Sequence, residues 1–229
     1  MRRTGNWAGR AAVCGVALCC VFTATSAQAQ SKKSAKQAAD LEKSGAAAKT
    51  AVEDALTGVN GLLAGYNSII DGEAKDNQKA YKKLVGDLKA TEKKIDDGKK
   101  KLASLSKDAD KFFKAWEVDL QSISSETLRD KSAARMGDSK KRFAQMGEIL
   151  TAASNEFAPV VQKLKDQIMY LGRDLSPAAI ADLGDEAAEL NQQAEAVTAR
   201  VKEMLENAGK AEAEAEAELE STDTAVDNE

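Results

Sequence analysis

Apolar residues recur along this chain at alternating spacings of four and three, in four separate stripes. Such a repeat keeps one face of a helix apolar along its whole length, so the helix is stable only when that face packs against another. The stripes consist, in chain order, of Leu41, Ala48, Val52, Ala55, Val59, Leu62, Tyr66 and Ile69; of Tyr81, Leu84, Leu88, Ile95, Leu102, Leu105, Ala109, Phe112 and Trp116, with Thr91 and Gly98 at two seam positions; of Met136, Phe143, Met146, Leu150, Ala153, Phe157, Val160, Leu164, Ile168, Leu171 and Leu175; and of Ile180, Leu183, Ala187, Leu190, Ala194, Val197, Val201 and Met204. The pattern predicts an all-α chain.

The stripes are separated by residues that end or begin helices. Gly72 can take the left-handed conformation found at helix C-termini, and the serines of segment 121–125 suit a helix N-cap. Ser176 and Pro177 give an N-cap followed by proline at the first helical position, where its missing N–H does no harm. We therefore predict helices over residues 34–70, 74–120, 125–174 and 176–209.

Short connections make successive helices antiparallel neighbours. At about 1.5 Å per residue, the two central helices would each be roughly 70 Å long. Residues 30–209 are thus predicted to form an elongated antiparallel helical bundle, or a coiled-coil-like hairpin, of about four helices. A bundle within one chain and a coiled-coil dimer use the same periodicity, so the oligomeric state stays open.

Two features within these helices bear on their stability. Pro159 removes a backbone donor inside the third helix and predicts a kink there, either as a bend that fits the bundle or as a hinge. Gly58, Gly61 and Gly65 each cost the first helix about 1 kcal/mol relative to Ala. We expect the first helix to be the least stable one, or to form only with a partner.

Residues 1–29 have the pattern of an export signal. Its parts are an apolar stretch over 11–25, a small-x-small sequence over 27–29, and a positive start with Arg2, Arg3 and Arg10. We expect cleavage before Gln30 and a periplasmic or extracellular location. A lipoprotein anchor at Cys19 or Cys20 is a weaker alternative, because the preceding residue is not small in either case.

The three cysteines, Cys14, Cys19 and Cys20, all lie in this signal, and the chain has no histidine. Metal sites built on Cys or His, and nucleophile systems that need either residue, are therefore excluded from the cleaved chain. A pair of carboxylates is the catalytic arrangement left open. We expect a protein without enzymatic activity, cofactor, metal or small-molecule substrate.

Charge is distributed unevenly along the chain. From Glu212 onward there are six Glu and two Asp and no Lys or Arg, within a chain of net charge −4. We predict that a frayed helix passes here into a disordered acidic tail over residues 210–229. A tail that binds cations or a partner is the functional alternative.

Segment 75–114 has the opposite character, with thirteen Lys against seven Asp or Glu. Its candidate basic strip consists of Lys82, Lys83, Lys89, Lys93, Lys94, Lys99, Lys100 and Lys101. The strip is either a solvated helix face or a surface that binds an anionic membrane or envelope polymer. Nucleic acid is not an expected partner, because the chain is exported, arginine is scarce and no groove-reading motif is present.

The end of the third helix and the turn that follows form a second candidate surface. This candidate docking corner consists of Asp166, Gln167, Tyr170, Arg173 and Asp174. Arg173 has a structural interpretation, in which it satisfies the last helix carbonyls or pairs with Asp174. The functional interpretation is a corner that docks a protein partner.

Two groups of residues carry a resemblance to a known family. They are Phe113, Trp116, Glu117, Leu120, Leu128 and Arg129, and then Pro159, Val160, 164–168, Tyr170, Leu171, Leu175 and 178–180. Over roughly residues 75–205 the chain resembles a bacterial family catalogued only as a domain of unknown function. The resemblance implies an all-α envelope protein, since members are helical and often carry export or lipoprotein signals, and it brings no activity. This chain has Gly172-Arg173-Asp174 where the family pattern has a Lys-His-Asn step, which argues against a proton-transfer role there.

These observations predict an exported, non-enzymatic helical scaffold or adaptor of the bacterial cell envelope. It would act by binding another protein or itself. The alternative is a peripheral binder of an anionic membrane or envelope polymer, acting through the Lys-rich segment 75–114. An enzyme is the third hypothesis and requires a carboxylate site that the sequence does not reveal.

Overall fold

In the computed structural model, backbone is described for residues 32–224 and side chains for residues 36–207. Five helices occupy this part of the chain: α1 (Lys32–Ile70), α2 (Asn77–Gln121), α3 (Glu126–Leu171), α4 (Pro177–Asp182) and α5 (Gly184–Thr224). The all-α prediction is confirmed. The predicted export signal, with Cys19 and Cys20, lies outside the described residues. Within the described helices, none is long and apolar enough to cross a membrane.

Helices α2, α3 and α4 begin after residues whose side chains accept hydrogen bonds from the first turn. The Asp76, Ser125 and Ser176 side chains accept from the backbone N–H of Lys79, Leu128 and Ala179. Asp76 explains why α2 starts at residue 77 instead of the predicted 74. After α1, Gly72 has φ of +72°, the left-handed conformation that the sequence predicted.

The predicted fourth helix is in fact two. Leu183 ends α4, and α5 begins at Gly184. Leu183 and Ala187 remain buried on either side of the break, so the apolar seam continues through it. The predicted end at 209 is also too early, because the α5 backbone is helical to Thr224. Alternating Ala and Glu are both good helix formers, and this propensity opposes the repulsion between the glutamates.

Pairs of contacts fix the direction of each helix relative to its neighbours. Between α1 and α2, Ser44 donates to Asp108 at 2.6 Å and the Thr91 hydroxyl to the Gly58 carbonyl at 3.2 Å. The residue numbers of these contacts rise along α1 and fall along α2, so the two helices are antiparallel.

The α1–α5 pair is antiparallel for the same reason. Asn67 donates to Asn191 at 2.8 Å, and Thr198 to Asn60 at 3.0 Å. With α2 packed on α3 and α3 on α5, the chain forms an up-down-up-down bundle, as predicted.

The core follows the four predicted stripes. Every member of the first stripe is buried, including Tyr66 and Ile69 with no exposed surface. In the other stripes most members are buried, and those near the bundle ends are half-buried: Tyr81, Trp116, Met136, Phe143, Leu175, Ile180 and Met204. Leu102 in the middle of α2 is also half-buried. The apolar seams are therefore buried by contacts within one chain.

Helix α1 approaches α2 closely because small residues face each other. Gly98 of α2 lies against Ala51, and Gly58 of α1 lies under Thr91. α1 also packs on α3 and α5. Its expected low stability stays a prediction, and its stripe is a large part of the core.

Pro159 is exposed within α3, which continues past it to Leu171.

Candidate interaction surfaces

Among the described residues, no group of three or more Asp or Glu side chains is placed to hold a metal ion. The buried polar side chains found there are Thr91 and Ser154. Tyr66 is a buried titratable group whose pKa is raised, first by burial and then by the nearby charge of Glu186. Its phenol is therefore neutral at ordinary pH and packs as a core side chain.

At the candidate docking corner, Tyr170 contacts the following helix. Its hydroxyl donates to Asp182 Oδ2 at 3.1 Å, and this hydrogen bond is the main cause that raises the pKa of Tyr170. The rest of the ring is largely open, with 44% of the residue exposed. Tyr170 thus joins α3 to α4 and still presents an aromatic surface.

The aspartates of the corner have local structural partners. Asp174 accepts from the Ser176 backbone N–H at 2.7 Å and from its hydroxyl at 2.9 Å, which fixes the turn before α4. Asp166 accepts from Gln162 at 2.9 Å, one turn earlier on α3. These contacts hold the corner in shape and leave both carboxylates on the surface.

Arg173 and Gln167 differ from the aspartates. The Arg173 side chain is exposed and makes no salt bridge within the part of the chain whose side chains are described, so the pairing with Asp174, one of its two structural interpretations, is absent there. Its backbone N–H donates to the Tyr170 carbonyl at 3.0 Å. The Gln167 Oε1 atom is buried without a hydrogen-bond partner in the described structure.

Met169, which is 62% exposed beside Tyr170, was not among the residues predicted for the corner. Met169 falls between the stripe residues Ile168 and Leu171, so its position off the seam was the available signal. Asp182, whose carboxylate holds Tyr170, was missed as well. The structure therefore gives the corner an apolar centre, Met169 and Tyr170, with a polar rim.

All eight residues of the basic strip are exposed on α2. Two of them have acidic partners on the same helix: Lys83 pairs with Asp87 at 2.6 Å and Lys100 with Asp97 at 3.2 Å. The other six make no salt bridge within the described structure. Lys94 differs in that its aliphatic stem lies over Gly58, at the α1–α2 contact.

Four strip residues lie on one line along the outer face of α2. Lys82, Lys89, Lys93 and Lys100 are separated by seven, four and seven residues, a spacing that returns to the same side of a helix. Lys107 and Lys111 continue the line. At 1.5 Å per residue it is roughly 44 Å long. These six lysines therefore form a straight row of ammonium groups, which lies opposite the buried seam of α2.

The α2–α3 end of the bundle carries its own exposed apolar residues, Val118 (62%) and Leu128 (60%). Beside them, Trp116 packs edge-on against Phe112 with ring centroids 5.7 Å apart, and its indole N–H donates to Ser132 at 3.1 Å. Trp116 is therefore a packing residue, as its place in the stripe indicates.

A comparison with protein-family models matches residues 26–216 to the family described as a protein of unknown function (DUF2959). The match confirms the resemblance found in the sequence and extends over more of the chain than 75–205. No curated protein and no solved structure matches this chain.

Proposed function

The chain belongs to the DUF2959 family, whose description assigns no activity, and we propose that it is an exported, non-enzymatic helical scaffold or adaptor of the bacterial cell envelope. The observation that carries this proposal is the exposed apolar centre of the docking corner, Met169 and Tyr170, on an otherwise well-packed bundle. An adaptor needs a rigid body and an exposed apolar surface whose burial by a partner is favourable. The bundle and the docking corner supply these two features.

The composition of the corner supports a protein partner. Methionine, tyrosine and arginine are enriched at the centres of protein interfaces, and here Met169, Tyr170 and Arg173 are neighbours. A partner with an apolar side chain for Met169 and a carboxylate for Arg173 would fit this surface.

The rigid body comes from the long helices. α2 has 45 residues and would span roughly 68 Å, and its seam is packed on α1 and α3 along its length. Such a rod separates the corner from the α2–α3 connection by most of its length. An element of these proportions suits holding two partners apart, which is the role of a scaffold.

The experiment is in-cell crosslinking of the tagged chain followed by mass spectrometry, with two variants compared. Met169→Ala with Tyr170→Ala removes the apolar centre of the corner. Val118→Ala with Leu128→Ala is the matched control, because these large apolar residues are at least as exposed and lie at the other end. We expect one dominant partner to crosslink near the corner and to be lost only with the corner variant.

The same data can overturn the proposal. If the corner and control variants give the same crosslinks, the corner docks nothing. If only self-crosslinks appear and the corner variant removes them, the protein binds itself at that surface. Circular dichroism of both variants should match the parent chain, which separates loss of binding from loss of fold.

The predicted location has its own test. Fractionation should place the chain outside the cytoplasm, and N-terminal sequencing should begin at Gln30. A chain that keeps its first residues and stays in the cytoplasm would contradict export. Lipid attached at Cys19 or Cys20 would establish the lipoprotein alternative instead.

A second candidate function rests on the straight row of exposed lysines on α2. A bilayer rich in anionic lipid attracts basic residues by about 1 kcal/mol each near its surface, and the row is long enough to use several at once. Vesicles of phosphatidylglycerol should bind the chain in a salt-sensitive way, whereas phosphatidylcholine vesicles should not.

The control for this function must keep the total charge change equal. Lys82, Lys89, Lys93 and Lys100 changed to Glu should abolish vesicle binding. Four exposed lysines elsewhere, Lys131, Lys140, Lys141 and Lys202, changed to Glu should leave most of it. Equal loss in both variants would mean that net charge, and not the strip, governs binding.

A further inference from the structure

We infer that the docking corner binds a cationic segment of its protein partner, in which arginine or lysine side chains flank an apolar residue. The surface is the one named in the proposed function, on which this inference rests. The partner gains a charge here, because exposed carboxylates surround the apolar centre formed by Met169 and Tyr170.

Two of these carboxylates adjoin the apolar centre directly. Asp166 lies three residues before Met169 and four before Tyr170 on α3, spacings that make side chains neighbours on a helix surface. Asp182 of α4 accepts the hydrogen bond from the Tyr170 hydroxyl at 3.1 Å. Both carboxylates belong to exposed residues, so the apolar centre lies between negative charges on two helices.

Two further carboxylates are close enough to act on Tyr170. The pKa of Tyr170 is raised first by its hydrogen bond to Asp182, and the charges of Asp174 and Glu186 add to the effect. Both of these residues are exposed as well. A partner that covers Tyr170 therefore enters the field of four carboxylates.

These negative charges are not neutralised within the described part of the chain. Asp166, Asp174 and Asp182 accept hydrogen bonds from neutral groups, which are an amide side chain, a serine with its backbone N–H, and a phenol. The last turn of α3 has no basic residue. Arg173 supplies a single positive charge against four carboxylates, so a fitting partner can offer one carboxylate to Arg173 and still be cationic on balance.

A metal ion does not fit this surface. Where side chains are described, no group of three or more acidic residues is arranged to hold one. An ion would also leave Met169 and Tyr170 uncovered. A protein segment, in contrast, can cover the apolar centre and place separate cations beside the dispersed carboxylates.

The open ring of Tyr170 favours a cation for an independent reason. The face of an aromatic ring attracts the charged group of arginine or lysine, and arginine is the more frequent of the two. The aliphatic stem of such a side chain packs on apolar surface while its charged end reaches a polar group. Stems resting on Met169 and Tyr170 would bring the charged ends to Asp166 and Asp182.

The first test repeats the in-cell crosslinking with a charge-neutral corner. One variant combines Asp166→Asn, Asp182→Asn and Glu186→Gln, which remove three charges and keep an oxygen at position 182 to accept from Tyr170. Asp174 is retained because it fixes the turn before α4. The matched control removes three exposed carboxylates elsewhere, through Glu148→Gln, Glu203→Gln and Glu206→Gln.

Exposed ion pairs contribute little individually, so losing three should reduce crosslinking to the dominant partner by about three- to tenfold. The control variant should leave it unchanged, and Arg173→Gln should not weaken it. If the Met169→Ala, Tyr170→Ala variant loses the partner while the charge-neutral variant keeps it, the inference fails and the proposed function stands. If neither variant changes the crosslinks, both fail.

A second test needs no identified partner. Two synthetic helical peptides share the same leucine face, and one carries lysines and the other glutamates on its polar face. The full chain is labelled with ¹³C at its methionine methyl groups, and the Met169 signal is identified by its loss in Met169→Leu. We expect the lysine peptide to shift the Met169 signal, less so at high salt, while Met136, Met146 and Met204 stay in place.

The glutamate peptide should leave the Met169 signal unchanged, and the charge-neutral variant should bind the lysine peptide about three- to tenfold more weakly. Equal binding of both peptides would mean that only apolar contact matters, which overturns the inference. Preference for the glutamate peptide would assign the corner to an acidic partner through Arg173. In cells, crosslinks from the corner to Lys82 or Lys89 of another copy would replace the foreign partner by a second copy of this chain.

Discussion

Gly61→Ala and Gly58→Ala should change the stability of this bundle in opposite directions. Both glycines lie inside α1, three residues apart. Each substitution replaces glycine, a poor helix former, by alanine, the best one. On helix propensity alone, each substitution should stabilise the chain by about 1 kcal/mol. The difference between them comes from what the new methyl group would meet.

At Gly61 there is no atom within 4 Å of the position that a Cβ would occupy, so the propensity gain should be kept in full. At Gly58 the Cβ would lie 3.2 Å from Thr91 Oγ1 and 3.3 Å from Thr91 Cγ2. These contacts are tighter than ordinary van der Waals distances. Either Thr91 or the helix pair must move.

Thr91 has little freedom to move. It is 3% exposed, its branched side chain is stiff at χ1, and its single O–H is shared between the Asp87 carbonyl at 2.8 Å and the Gly58 carbonyl at 3.2 Å. Overpacking of a tight site costs about 1–3 kcal/mol, and a lost hydrogen bond about 1 kcal/mol. We therefore expect Gly58→Ala to destabilise the chain by about 1–2 kcal/mol net, so the two variants should differ by about 2–3 kcal/mol.

The assay is urea denaturation followed by circular dichroism, with equal m-values required for the comparison. Adding Thr91→Ala should make Gly58→Ala tolerable, giving a coupling free energy of at least about 1 kcal/mol in a double-mutant cycle. If Gly58→Ala stabilises as much as Gly61→Ala, α1 and α2 do not approach each other closely enough at Gly58 to exclude a methyl group. If Gly61→Ala gives no gain, the glycines do not limit α1.

Three further outcomes follow from single contacts. Leu164→Ala should cost about 2–5 kcal/mol in the same assay, because Leu164 has no exposed surface, and a loss below about 1 kcal/mol would contradict its core position. Gly172→Ala should destabilise the chain because its Cβ would collide with the Tyr81 hydroxyl, and Tyr81→Phe should restore most of the loss; no recovery would refute that cause. The Ser44 hydroxyl, and then Lys111, lower the pKa of Asp108, so its contribution to stability is present above the ordinary carboxyl pKa and is lost as pH falls. Ser44→Ala should reduce that acid dependence between pH 5 and 3 in thermal melts, and an unchanged pH profile would contradict the assignment.

Some features of the structure were readable from local sequence signals, and others were present but overlooked. Asp76 and Gly184 are both residue types that begin or interrupt helices, yet the predicted α2 started before Asp76 and the predicted fourth helix ran through Gly184. The uninterrupted stripe around Leu183 concealed the break, because the seam stays buried across it. A hydrophobic repeat reports which face is covered, and it does not report whether the backbone is continuous.

The docking corner shows a different limit. The sequence placed Asp166, Tyr170 and Arg173 near one another, since they are close along α3. It did not reveal that Tyr170 is held by Asp182 of α4, or that Asp174 fixes its own turn. Such contacts depend on the angle at which the chain leaves α3, which no residue spacing encodes.

By itself, the sequence determined that this chain is a set of long amphipathic helices, because the spacing of apolar residues dictates which helix face must leave water. It also determined the helix starts at Ser125 and Ser176, which arise from hydrogen bonds within a few residues. Only the tertiary structure decided that the four seams close within one chain, that α1 packs on α2, α3 and α5, and which surfaces stay open. Those outcomes depend on the relative heights of helices distant in sequence, which are set by side-chain packing between them, such as Gly58 under Thr91 and Lys163 beside Glu189.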